Sequence, residues 1–160
     1  MRVKTVLILG VVGAALAALP LWHAQAGKPG SAAAQAEVRR VIDDFFEAAK
    51  KQDWDRAAEL FSPDFGIYTD DTAGFDKNAY LQLLKEDNIE TLQMQLRDMV
   101  IHVSADGTMA WSQYRGKFTQ LVRGKQSATE TAESLIFEKR GSAWKIVRAH
   151  ASVKELGGGS

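Results

Sequence analysis

The amino-acid sequence predicts an α+β fold in which three N-terminal helices pack on one face of a curved antiparallel sheet. Apolar residues recur at spacings of three and four over much of residues 32–86, which is typical of amphipathic helices. From residue 91 to residue 154 the pattern changes to long extended segments separated by short turns that contain glycine. Helices and strands in separate blocks indicate a sheet whose helices lie together on one side.

Three segments carry the helical signals. The first helix is predicted over residues 32–51, with its charged residues on the side opposite the apolar ones. Asp53 is the predicted N-cap of a short second helix at residues 54–61. Asp76 is the predicted N-cap of a third helix that runs from residue 77 to about residue 86.

The remaining segments are predicted strands. A short strand is expected at residues 65–69, and four long strands are expected at residues 91–104, 108–122, 125–139 and 143–154. Turns at Gly107, Gly124 and Gly141 join the long strands into a meander of hairpins.

Large apolar side chains fall on both faces of the long strands. In residues 108–122, one face holds Ala110, Ser112, Tyr114, Gly116 and Phe118, and the other holds Met109, Trp111, Gln113, Arg115 and Leu121. In residues 91–103, one face holds Leu92, Met94, Leu96, Val100 and His102, and the other holds Met99, Ile101 and Val103. A half-solvated sheet avoids this pattern, so we expect a second copy of the protein to cover the outer face in a homodimer.

The last strand is the most informative segment for function. With a period of two, Trp144, Ile146, Arg148, His150 and Ser152 fall on one side. The change from apolar to polar side chains along that side predicts a strand that leaves the core and ends at the wall of a pocket.

Composition and charge limit the possible partners. A chain of 160 residues fits one domain, with 20 basic and 20 acidic residues in balance. Loss of the first 26 residues would remove Arg2 and Lys4 and leave a slightly acidic chain. This balance argues against a nucleic-acid surface, which needs clustered Lys and Arg.

The first 26 residues have the pattern of a secretory signal peptide. Arg2 and Lys4 precede an apolar run over residues 6–19, and Ala24-Gln25-Ala26 offers a cleavage site. An uncleaved membrane anchor is the alternative, because the uncharged stretch approaches the length of a span. We expect cleavage after Ala26 and a periplasmic or secreted protein that does not contact the membrane. Residues 27–31 are then a linker, residues 32–154 the folded domain and residues 155–160 a flexible tail.

Two stretches carry a resemblance to a known family. Residues 137–152 contain a glycine turn, a tryptophan, an aliphatic pair and a final His-x-Ser, and residues 74–77 read Gly-Phe-Asp-Lys after an upstream Asp-Phe. Across residues 32–153 this order resembles the nuclear transport factor 2-like superfamily. The closer similarity is to its SnoaL-like branch, which includes the association domain of calcium/calmodulin-dependent kinase II. The resemblance implies a cone-shaped fold with a pocket inside the cone.

Two positions depart from the pattern of that family. The family carries His-x-His-x-Ser near its C-terminus, and its first His is Arg148 here. An Arg that is often found in the preceding strand falls at about Ala132. We expect Arg148 to replace that positive group from the adjacent strand.

His150 and Arg148 are the first candidates for chemistry. His150 is a candidate for proton transfer, because histidine is the side chain best suited to acid-base chemistry at physiological pH, although isolated histidines are commonly structural. Arg148 is a candidate for holding a carboxylate or phosphate through its forked donors. A salt bridge from Arg148 to Glu133 or Asp98 is the structural alternative.

A second candidate site follows the short first strand. The resemblance implies a catalytic carboxylate near Tyr68, Asp70 and Asp71, as in ketosteroid-isomerase-like sites. There a carboxylate in an apolar pocket moves a proton beside a tyrosine or acid donor. Asp70 or Asp71 with Tyr68 or Tyr114 would supply that chemistry, but adjacent aspartates are also typical of a surface turn.

The leading functional hypothesis is an exported domain that binds a small apolar or carboxylate-bearing molecule. The predicted pocket is lined by Tyr68, Trp111, Tyr114, Trp144 and Arg148. The first alternative is an isomerase, dehydratase or cyclase without a cofactor that uses His150 or Asp70 as acid-base. The second alternative is an interaction module that assembles into larger oligomers. No metal site is predicted, because His102 and His150 are the histidines left after signal removal and neither has ligand spacing.

Overall fold

Three helices and six strands follow one another in the computed structural model, which describes residues 32–69 and 72–156. The helices are α1 (Ala32–Lys50), α2 (Trp54–Leu60) and α3 (Lys77–Glu86). The strands are β1 (Phe61–Thr69), β2 (Thr72–Asp76), β3 (Glu90–Val103), β4 (Met109–Val122), β5 (Lys125–Arg140) and β6 (Ala143–Glu155). The predicted signal peptide, the linker, Asp70 and Asp71 lie outside the described residues.

One six-stranded sheet is formed in the order β2-β1-β6-β5-β4-β3. Neighbouring strands pair antiparallel, except that β1 and β6 pair in parallel. The predicted α+β class, with helices on a curved sheet, is confirmed. Strand β2 and the parallel pairing of β1 were not predicted. Glu155, which the sequence assigns to the tail, pairs with Thr129 at the end of β6.

The predicted helix starts are confirmed at two aspartates. The Asp53 carboxylate accepts a hydrogen bond from the backbone N–H of Arg56 at 3.0 Å, and Asp76 accepts one from Ala79 at 2.9 Å. Each bond satisfies an N–H group that the helix itself leaves without a partner. Both α2 and α3 therefore begin where local side-chain chemistry places them.

Helix α1 packs its apolar side on the inner face of the sheet. Val38 and Ile42 are fully buried in one cluster with Phe137 and Ile146 of the last hairpin. Polar contacts also hold the start of α1 against the hairpin. Trp144 Nε1 and Lys139 Nζ both donate to Glu37 Oε2, at 3.0 Å and 3.1 Å. Apolar packing and hydrogen bonds therefore both join the start of α1 to the β5–β6 hairpin.

A bulge in β6 overturns the predicted single face of the last strand. Phe137 pairs with Ile146, but the preceding residue of β5, Ile136, pairs with Arg148, so Val147 is an extra residue. Because one extra residue reverses the side on which later residues point, Arg148 lies on the outer face. The prediction that Trp144, Ile146, Arg148, His150 and Ser152 share one face is wrong.

A second bulge has the same effect in β3. Arg97 pairs with Arg115 and Val100 pairs with Gln113, which leaves one extra residue where Asp98 has a φ of 55°. The predicted division of β3 into two faces is therefore wrong as well. The side chains of β3 that pack against the core are Met94, Leu96, Met99 and Ile101, together with buried Val103.

The outer face of the sheet keeps large exposed side chains. They include Tyr68, Val100, Met109, Trp111 and Ile136. The Trp111 ring stacks on His102, with 4.4 Å between the ring centroids. The predicted homodimer through this face stays a prediction. Within residues 32–69 and 72–156, none of the helices combines the length and the apolar character needed to cross a bilayer.

Candidate functional site

A cavity of about 250 Å³ lies between the helices and the inner face of the sheet. The helices contribute Phe45, Phe46, Ala49, Trp54, Tyr80 and Leu84 to its wall. The segment before β3 and the strands contribute Ile89, Thr91, Met94, Phe118, Gln120, Thr129, Thr131, Glu133 and Val153. The wall is thus mainly aromatic and aliphatic, with a few polar groups from the strands.

Small residues in the middle of the sheet lie beside the side chains of the cavity wall. Gly116 of β4 pairs with Thr131 of β5, and Ala151 of β6 pairs with Glu133. A Cβ atom added to Gly116 would lie 2.2 Å from Cε2 of Phe118 and 2.9 Å from Oγ1 of Thr131. Glycine at this position therefore allows the Phe118 ring to lie across its own strand.

Glu133 is the one acidic residue among the described residues that line the cavity. It pairs with Tyr114 across β4 and β5, so both side chains point inward. The Tyr114 hydroxyl donates to Glu133 Oε2 at 2.6 Å, and the Thr131 hydroxyl donates to Oε1 at 2.8 Å. Burial raises the pKa of the Glu133 carboxyl, and these two hydrogen bonds only partly oppose that effect.

Two tyrosines share this electrostatic environment. Burial raises the pKa of Tyr114, and the charge and hydrogen bond of Glu133 raise it further. Burial also raises the pKa of Tyr80, with a smaller contribution from the charge of Glu133. Both phenols therefore stay protonated across the physiological range and can act as hydrogen-bond donors.

The model of the SnoaL-like domain matches residues 38–154. The chain belongs to the SnoaL-like domain family. None of the curated proteins compared with it is a match.

Solved structures share the fold of this SnoaL-like domain. A conserved protein from Planctomyces limnophilus is 19% identical, with a TM-score of 0.67 over 78% of this chain and 98% of that one. A proposed calcium/calmodulin-dependent kinase II association domain from Exiguobacterium sibiricum is 16% identical, with a TM-score of 0.69 over 83% and 100%. A ketosteroid isomerase-like protein from Erwinia carotovora atroseptica is 12% identical, with a TM-score of 0.64 over 78% and 97%. The nuclear transport factor 2-like assignment is confirmed.

The SnoaL-like domain does not bring the predicted pocket residues together. Tyr114 lies inside the cone, while Trp144 is buried beside Glu37 and is not part of the cavity wall. Trp111 and Tyr68 are exposed on the outer face. Their predicted roles in ligand binding stay predictions.

Arg148 and His150 also lie outside the cone. Arg148 Nη1 donates to the backbone oxygens of Asp64 and Val147, at 2.5 Å and 2.7 Å. These bonds take the place of the salt bridge to Glu133 or Asp98 that was the structural alternative. His150 pairs with Tyr68 and Ser134 and lines a shallow depression on the outer face. The catalytic roles predicted for His150 and for Asp70, which lies outside the described residues, stay predictions.

The sequence indicated Glu133 only as a salt-bridge partner for Arg148, and it indicated no role for Tyr80 in a site. A signal for Glu133 was present, since alternate residues of β5 read Thr129, Thr131, Glu133, Leu135 and Phe137. A charged residue at an inward position of an otherwise buried face indicates a functional or paired group. Within the part of the chain that the structure describes, no three His, Cys, Asp or Glu side chains gather as metal ligands would.

Replacement of Glu133 by glutamine is expected to stabilise the domain by about 1–2 kcal/mol at pH 8 and by much less near pH 5. Since the pKa of Glu133 is raised in the folded state, the native protein holds its proton above the ordinary value of 4.5 while the unfolded chain loses it. The free energy of unfolding of the wild type therefore falls as the pH rises from the unfolded pKa towards the folded pKa of Glu133. The glutamine variant does not show this decrease. Urea denaturation of both proteins at several pH values measures the difference. A gain that is independent of pH would contradict the assigned cause.

Proposed function

We propose that this SnoaL-like domain binds a small, largely apolar molecule inside the cone. The observation that carries the proposal is the Glu133 carboxylate, which faces an apolar cavity while Tyr114 and Thr131 hold its two oxygens. A few placed polar groups in an apolar concavity are the usual composition of a ligand site. A cavity of about 250 Å³ suits a ligand of one ring or a short branched chain.

The stability of the domain alone gives little reason to keep a carboxylate in this place. Burial of an ionisable group opposes folding unless a partner compensates its charge. The hydroxyl groups of Tyr114 and Thr131 give only partial compensation, because the pKa of Glu133 remains raised. Groups that are unfavourable for folding and line a cavity are candidates for function.

A thermal-shift titration with benzyl alcohol and cyclohexanone tests the proposal. The variant Ala49→Phe places a ring in the cavity wall, and Ala36→Phe adds the same ring on the exposed side of the same helix. We expect both ligands to raise the melting temperature of the wild type and of Ala36→Phe, but not of Ala49→Phe. Equal responses from both variants would place binding outside the cavity and reject the proposal.

Acid-base catalysis without a cofactor is the second candidate function. The raised pKa of Glu133 suits a group that both accepts and returns a proton, and Tyr114 or Tyr80 would donate to a developing oxyanion. A ketosteroid isomerase-like protein is among the structural neighbours. Isomerisation, dehydration or cyclisation of a small carbonyl compound fits this set of groups.

Exchange of the α-protons of cyclohexanone in deuterated water would reveal such catalysis. We expect the wild type to accelerate exchange and Glu133→Gln to lose about 100-fold or more of that rate. His150→Ala is the matched test of the base that the sequence suggested. If His150→Ala removes the activity and Glu133→Gln keeps it, the outer depression is the site instead.

We also propose a homodimer that covers the outer face of the sheet. Exposed Trp111, Ile136 and Val100 support it, because Trp111 and Ile136 are paired neighbours on β4 and β5, and grouped apolar side chains on an exposed face are typical of an interaction surface. Sedimentation is expected to give a dimer for the wild type and a monomer for Trp111→Glu. A monomeric wild type at micromolar concentration would reject the dimer, and a ring-sized particle would favour the interaction module.

Export to the periplasm is proposed from the N-terminal pattern alone. Cleavage after Ala26 would leave a chain that begins at Gly27. Mass spectrometry of the periplasmic fraction from a bacterial host tests this, and a chain that retains residues 1–26 in the membrane fraction would favour the anchor.

A further inference from the structure

The charge of the cavity wall identifies the class of ligand more narrowly than its size does. Among the described residues that line the cavity, none is Lys, Arg or His, and Glu133 is the one acid. Arg148, the basic candidate that the sequence suggested for the pocket, lies on the opposite face of the sheet. The described part of the inner wall therefore holds one acidic group and no basic group to match it.

The hydrogen bonds around Glu133 leave it able to accept more bonds. Each carboxylate oxygen accepts one bond, from Tyr114 at 2.6 Å and from Thr131 at 2.8 Å. A carboxylate has about four acceptor positions, so each oxygen can still accept a bond from a donor on the ligand. A ligand carboxylate would instead place a second negative charge beside the first.

Aromatic rings line the cavity that this carboxylate faces. Phe46 is 5.9 Å from the Tyr114 ring in an edge-to-face arrangement, and 6.0 Å from Phe118, with distances taken between ring centroids. Phe45 packs on Phe46 at 5.3 Å, and Trp54 lines the same cavity. Aromatic faces attract cations through their quadrupole, and this attraction grows when water is excluded.

We propose that the cavity selects a small apolar amine in its cationic form, with the ammonium group bonded to Glu133 and the apolar body among the aromatic rings. This inference rests on the proposed function, because it specifies the ligand of the same cavity. An ammonium–carboxylate hydrogen bond is stronger than its neutral counterpart. It also supplies a positive charge beside Glu133 that the described residues of the cavity wall do not provide.

The protonation of Glu133 gives the proposal a second signature. The titratable groups that face Glu133 are Tyr114 from β4 and Tyr80 from α3, while β6 places Ala151 opposite it. Burial raises the pKa of Glu133 in the unliganded domain. A bound cation lowers that pKa again, so binding of an amine releases protons and binding of an alcohol does not.

Three probes with one aromatic ring and different charges test the inference: benzylamine, benzyl alcohol and benzoate. Isothermal titration of the purified full chain at about pH 7 is expected to give benzylamine at least about tenfold tighter binding than benzyl alcohol, with no binding of benzoate. Glu133→Gln is expected to bind benzylamine no better than benzyl alcohol. Glu130→Gln, on the outer side of the same strand beside Arg97, is expected to keep the wild-type order. Titrations in buffers of different ionisation enthalpy measure the released protons.

The possible results distinguish a failure of the amine inference from a failure of the cavity function on which it rests. Benzyl alcohol binding as tightly as benzylamine would overturn the amine inference and leave the cavity function intact. Preferential binding of benzoate would also overturn it. If none of the three probes binds the wild type, both the inference and the cavity function are rejected. A benzylamine preference that survives in Glu133→Gln would overturn the role given to Glu133.

Discussion

Replacing Phe137 by alanine is expected to lower the free energy of unfolding by about 3–5 kcal/mol, the usual cost of removing a fully buried aromatic side chain. Phe137 has no exposed surface and belongs to the same cluster as Ile146, Val38 and Ile42. Helix α1 and the β5–β6 hairpin meet there, so the space left by the ring has few ways to collapse. Urea denaturation followed by far-ultraviolet circular dichroism measures the loss.

The neighbouring residue provides the control. Ile136 precedes Phe137 in β5 but points to the outer face, where 39% of its surface is exposed. Ile136→Ala is expected to cost less than about 1 kcal/mol. Equal losses for the two variants would contradict the assigned inner and outer faces. A loss for Ile136→Ala that depends on protein concentration would instead indicate that a second copy covers Ile136.

The helices and their starts could be predicted from the sequence because their signals are local. Asp53 and Asp76 act on N–H groups within the next three residues, so their capping role depends little on distant parts of the chain. The long hairpin strands were also predicted, since each turn glycine lies beside the strands that it joins. Strand β1 was harder, because its partner β6 is about eighty residues away in the chain and pairs in parallel.

The faces of two strands could not be predicted, because a bulge leaves the sequence pattern almost unchanged. Val147 in β6 and Asp98 near the middle of β3 each interrupt the alternation of side chains between the two faces. The residues that follow each bulge therefore point to the face opposite to the one that unbroken alternation predicts. The predicted ligand site depended on unbroken alternation in β6. The prediction therefore placed Arg148 and His150 on the inner face of the sheet, whereas Ala149 and Ala151 lie on that face in the structure.

Glu133 shows what the sequence did contain about the site. Its inward position follows from the alternation of β5, which runs without a bulge from Lys125 to Ile136 along β4. Its hydrogen bond to Tyr114 could not be predicted in the same way, because the register between β4 and β5 places the two residues opposite each other. The presence of an inward-facing acid was predictable in principle, and the identity of its hydrogen-bond donors required the structure.

Gly116→Ala is expected to destabilise the domain by about 2–3 kcal/mol, a typical cost of overpacking in an interior. The added Cβ atom would lie 2.2 Å from Cε2 of Phe118, so the ring has to move from its place beside β4. The same atom would lie 2.9 Å from Oγ1 of Thr131, which donates to Glu133. The substitution therefore acts on the stability of the fold and on the cavity together, and ligand binding should weaken with it.

Gly66→Ala is the matched control, because a Cβ atom added to this second strand glycine would meet no atom closer than 3.8 Å. Urea denaturation should show a large loss for Gly116→Ala and a loss below about 1 kcal/mol for Gly66→Ala. A double variant, Gly116→Ala with Phe118→Ala, tests the cause. If the clash with the Phe118 ring is responsible, Gly116→Ala should cost clearly less in the Phe118→Ala background than in the wild type. Additive losses would mean that the backbone of β4, and not the ring, resists the methyl group.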